Sequence, residues 1–63
     1  MIKALKLIDG DNFVVGNELR TGVSISNILE RNEKFYTVQL SNGESLDVPI
    51  TSVLFARRIP NDE

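Results

Sequence analysis

The stretch Phe35 to Ile59, FYTVQLSNGESLDVPITSVLFARRI, leaves this chain few ways to fold. Tyr36, Val38 and Leu40 alternate with Thr37, Gln39 and Ser41, the period of a strand with one buried and one solvated face. Asn42-Gly43 follows at once and suits the two-residue hairpin turn whose central residues take positive φ, so the chain is expected to reverse there. Leu46 and Val48 resume the alternation as far as Pro49, which brings no N–H to a ladder and holds Val48 extended. Pairing must stop or change partner at that point. Pro49-Ile50-Thr51-Ser52 is too short for a helix of several turns and fits one tight turn, after which Val53-Leu54-Phe55-Ala56 opens a new strand.

The residues before this stretch read as further strands of the same structure. Leu5 and Leu7 give Met1 to Ile8 one apolar side, and eight residues are few for a helix standing alone. Asp9-Gly10-Asp11-Asn12 is a turn signal, and Phe13-Val14-Val15 restarts a β pattern, which makes a first hairpin. Gly16 leaves room for a bulge or a close backbone approach. Arg20-Thr21-Gly22 turns the chain into Val23-Ser24-Ile25-Ser26-Asn27, whose alternation places Val23 and Ile25 inward. Glu30 to Lys34 is a charged connection, read as a solvated loop tip.

The expectation is an all-β chain, closed into a small, strongly bent barrel of about five or six strands. Residues 1–59 form its single domain and residues 60–63 a frayed tail. Its expected core is Leu5, Leu7, Val15, Val23, Ile25, Val38, Leu40, Leu46, Val48, Val53 and Phe55.

Sixty-three residues bury only about 60% of the surface their unfolded chain exposes, so stability is expected to be a few kcal/mol. There is no cysteine to form disulfides and no histidine for an ordinary zinc site, which leaves oligomerisation as the remaining staple. A net charge of −2 argues against attraction to phosphate over the whole surface. No apolar run approaches the ~20 residues of a membrane span, and the first residues do not open a secretory signal, so a cytoplasmic location without membrane partners is expected.

The residues that carry chemistry are few. Nucleophilic catalysis usually needs a positioned base, most often histidine, so the chain is read as no enzyme, with no cofactor and no metal. Asp9, Asp11 and Asn12 begin like a calcium loop, but the glycine and the distal glutamate fall at the wrong spacing, and a turn explains them. Arg20, Arg57 and Arg58 present planar forks of donors that suit phosphate, whereas adjacent arginines on an edge strand also deter aggregation. Phe35 is the exposed candidate for stacking on a base, because alternation sends Tyr36 to the core.

Leu5-Lys6-Leu7-Ile8-Asp9-Gly10-Asp11-Asn12-Phe13-Val14-Val15-Gly16 resembles the opening of Sm-like proteins, with a strand, a glycine turn and a second strand ending in glycine. Leu46 to Ala56 with the acidic tail resembles the end of the short Sm-like proteins of phages and marine viruses, which implies the host cytoplasm as the compartment. The resemblance implies a bent barrel that assembles into a homo-oligomeric ring of about five to seven subunits, the last strand of one pairing with the next. Leu54, Phe55, Ala56 and Ile59 would form that interface. It also implies RNA held by two pore loops, here occupied by Arg20-Thr21-Gly22 and Pro49-Ile50-Thr51-Ser52, neither of which carries the family's Asp and Asn or Arg-Gly motif. The nucleic-acid candidates are thus Arg20, Thr21, Thr51, Arg57 and Arg58. A Src-homology-type barrel fits the hairpin, corner and last strand equally, and implies an adaptor for another protein with no nucleic acid.

Overall fold

A computed structural model describes residues 1–60; Asn61, Asp62 and Glu63 of the expected tail lie outside the described residues. The chain is all-β. Its strands run β1 (Ile2–Leu7), β2 (Asn12–Val14), β3 (Glu18–Arg20), β4 (Val23–Glu30), β5 (Phe35–Leu40), β6 (Ser45–Pro49) and β7 (Val53–Arg58). One 3-10 turn, Ile50–Ser52, forms the corner expected after Pro49. The strand Glu18–Arg20 was not expected, since ELR holds no apolar alternation and all three side chains are exposed.

Two antiparallel sheets result, one in the order β2-β1-β7 and the other in the order β3-β4-β5-β6. The segment between β2 and β3 passes from one to the other. The Val15 amide donates to the Lys3 carbonyl in β1, and the Gly16 and Ile25 amides bond the Ile25 and Asn17 carbonyls on the β4 side. Gly16 makes this bend at a φ of 97°, where a side chain would be strained. The last strand returns to pair with the first, with Leu5 opposite Ala56 and Lys6 opposite Phe55.

Ile2, Leu5, Ile25, Ile28, Tyr36, Val38, Leu40 and Val48 form the buried core between the sheets, with Leu7, Phe13, Val15, Val23, Ile50, Val53 and Ala56 packed against it. Ile25 and Ile28 are both buried because the β4–β5 register shifts between Ile25 and Asn27 and resets the alternation. Two expected core residues are corrected. Leu46 is 38% exposed although it stands opposite the buried Val38, because β6 is the edge strand of its sheet. Phe55 is 56% exposed, because it shares the face of its partner Lys6, while Ala56 opposite Leu5 faces the core.

The Asn42-Gly43 turn also differs from expectation. No residue other than glycine has positive φ among the described residues, so Asn42 does not take the conformation of a two-residue turn. The loop Ser41 to Glu44 is closed by the Leu40 amide donating to the Glu44 carbonyl and the Gly43 amide to the Leu40 carbonyl. Gly43 alone takes a φ of 93°. The Asn42 side chain accepts from the Glu44 amide at 3.0 Å, holding the loop as an Asx turn.

Candidate functional site

Arg20 ends β3, and its guanidinium donates to the Glu44 carboxylate at 2.8 Å. Asn42 donates to the same carboxylate at 3.1 Å, and the two donors with the arginine's charge hold Glu44 below the ordinary glutamate pKa. Thr21 lies exposed in the turn that follows. Thr51 sits in the 3-10 turn beyond the far end of β6, where the Ile8 amide bonds the Ser52 carbonyl and the Ile50 amide bonds the Lys34 carbonyl. Five residues of β6 therefore stand between the Glu44 end, which holds Arg20, and the corner that holds Thr51. At about 3.3 Å per residue that is on the order of 15 Å.

The remaining candidates are on β7. Arg58 pairs with Glu30 of β4 at 3.1 Å. Arg57 is exposed and, among the described residues, has no ion pair or side-chain hydrogen bond. Leu54 is 62% exposed at a point where the β1–β7 register shifts, since Lys6 faces Phe55 while Leu7 faces Val53. The extra residue breaks alternation, so Leu54 and Phe55 are both left outside. Ala56 packs on the core edge, and Ile59 exchanges backbone hydrogen bonds with Met1. Phe35, the stacking candidate, is half-buried.

A pattern not visible from local sequence emerges when the strands are paired. β2, β1 and β7 together carry Lys3, Lys6, Arg57 and Arg58 and no acidic residue. The other sheet carries Glu18, Glu30 and Asp47 against Arg20. The chain is thus divided into a cationic sheet and a more acidic one despite its small net charge. On the outer face of β4, β5 and β6 lies an open groove of about 490 Å3 lined by Leu29, Glu30, Arg31, Thr37, Gln39 and Ser45. Beside it Asp47 accepts from Thr37 at 2.9 Å and pairs with Arg31 at 3.2 Å, so its strongest polar groups are already satisfied by one another.

Among the described residues no acidic cluster is placed to hold a metal ion, and no helix is long and apolar enough to cross a membrane. No protein-family model, curated protein or solved structure matches this chain.

Proposed function

We propose that this chain is a small barrel of the Sm-like kind that acts as a self-assembling scaffold, the outer edge of β7 in one copy pairing with the outer edge of β6 in the next. The supporting observation is that the two terminal strands are unlike. β7 exposes Leu54 and Phe55 and carries Arg57 and Arg58, while β6 exposes Leu46 and Asp47 and follows Glu44. Edge pairing satisfies the outer N–H and C=O groups of both strands, covers apolar side chains and sets opposite charges together. The contact is head-to-tail, so it closes into a ring when the rotation per copy allows.

RNA held at a pore by Arg20, Thr21 and Thr51 draws little support, because Arg20 is engaged with Glu44 and Thr51 is set at the far end of β6. The solution mass tests the scaffold reading. A species well above 7.1 kDa is expected, and Leu54→Lys or Ala56→Pro should reduce it to single chains. A wild-type mass of one chain defeats the reading and leaves the adaptor for a different protein. Unchanged assembly in both variants removes β7 as the contact. Leu54→Lys is the safer variant, because its side chain already stands in solvent.

A further inference from the structure

The cationic sheet has an outer face that a single copy holds whole, and Phe55 and Arg57 on it border the edge proposed for pairing. The register places Asn12, Lys6 and Phe55 in one cross-strand row and Val14, Ala4 and Arg57 in the next, all opposite in direction to the buried Leu5. Ile8 follows directly in the turn to β2, its amide bonded to the Ser52 carbonyl at the corner, and is 65% exposed. Phe55 thus stands in solvent beside Lys6 and Arg57, neither of which makes an ion pair among the described residues, and Ile8 stands in solvent at the end of β1. Lys6 donates to the Gly10 carbonyl, a neutral acceptor. The three strands carry no acidic side chain, and the nearest acids, Asp9 and Asp11, stand in the turn between β1 and β2.

We propose that this face docks on an anionic lipid surface, with Ile8 and Phe55 entering the headgroup boundary and Lys6 and Arg57 meeting the phosphates. Its charge is complementary to such a surface, and its large apolar groups have no use in water. A single-stranded nucleic acid is less well matched. Tracking a phosphate backbone calls for a row of cations and stacking for several aromatic rings, whereas this face offers two cations and one ring. The docking is independent of the scaffold reading, since a single copy already holds the whole face.

The test is cosedimentation of the full chain with vesicles of phosphatidylcholine alone and of phosphatidylcholine mixed with phosphatidylserine, at low and high salt. Binding to the mixed vesicles alone is expected, weakening with salt. Lys6→Glu combined with Arg57→Glu should lower it by at least about tenfold, and Ile8→Ser should weaken it while leaving the melting temperature near wild type. If the charge reversal disturbs folding, Lys6→Gln with Arg57→Gln carries the same test with a smaller drop. Equal binding to both vesicle types, no binding to either, or binding unaffected by these variants overturns the proposal. Retention of single-stranded RNA in place of vesicles, lost in the same variants, also overturns it and assigns the face to nucleic acid. Leu54→Lys separates the two readings, since it is aimed at the edge and should change the solution mass while a single copy still binds vesicles.

Discussion

Arg58, at the end of β7, donates to the carboxylate of Glu30, at the end of β4, across 3.1 Å, and so links the outermost strand of one sheet to the other sheet. Both side chains are more than half exposed, which decides how much the link is worth. Arg58→Ala should therefore destabilise the fold by no more than about 1 kcal/mol in urea titration, with the difference shrinking as salt rises. A larger loss that ignores salt would show that the arginine acts through packing.

Gly43 separates backbone strain from crowding. A Cβ added there meets nothing within 4 Å, yet φ is 93°. Gly43→Ala should cost about 1 to 2 kcal/mol through backbone conformation alone, and Gly43→Val more. An unchanged urea midpoint for both would mean that the loop finds another conformation without penalty.

Val38 and Leu46 face each other across β5 and β6, but Val38 is fully buried and Leu46 is not. Leu5 is equally buried, and Leu5→Ala removes a side chain from the centre of the core. That substitution should cost about 2 to 5 kcal/mol, enough to unfold most of a domain of this size, whereas Leu46→Ala should cost about 1 kcal/mol or less. Circular dichroism melts would read the contrast, and similar losses for the two would mean that Leu46 is covered as fully as the core.

The Arg20, Asn42 and Glu44 cluster makes a pH prediction of definite sign. Because the folded state lowers the pKa of Glu44, its contribution is present above the ordinary glutamate pKa and is lost as pH falls through the lowered value. Glu44→Gln should remove that part of the acid sensitivity and leave stability at neutral pH slightly lower, since the side chain is 60% exposed. Identical acid-unfolding curves for the two proteins would mean that the cluster does not form in solution.

The elements legible in the sequence were those with local causes. Alternation identified β5, the glycine turns divided the strands, and Pro49 marked the corner, because each signal lies within a few residues of its effect. What stayed hidden depends on pairing. The shift after Ile25 that buries Ile28 is set against β5, and the shift that leaves Leu54 and Phe55 both outside is set against β1. The gathering of Lys3, Lys6, Arg57 and Arg58 on one sheet likewise requires strands from opposite parts of the chain, so charge counted along the sequence conceals it. At the Asn42-Gly43 turn the dipeptide signalled reversal correctly, but loop length and Asn42 conformation follow from how β5 and β6 meet.

The pairing of β1 with β7 also sets an order of events during synthesis. β1 is the first of the described strands to be made and β7 the last, so β1 has only its hairpin partner β2 until Val53–Arg58 has been added. The local pairs β4–β5 and β5–β6 close short loops and can form early, whereas joining β1 to β7 must close a loop of nearly the whole chain. A nascent chain stalled before Val53 would therefore hold Ile2 and Leu5 without the strand that completes their cover, and would present them to chaperones and proteases rather than to a core.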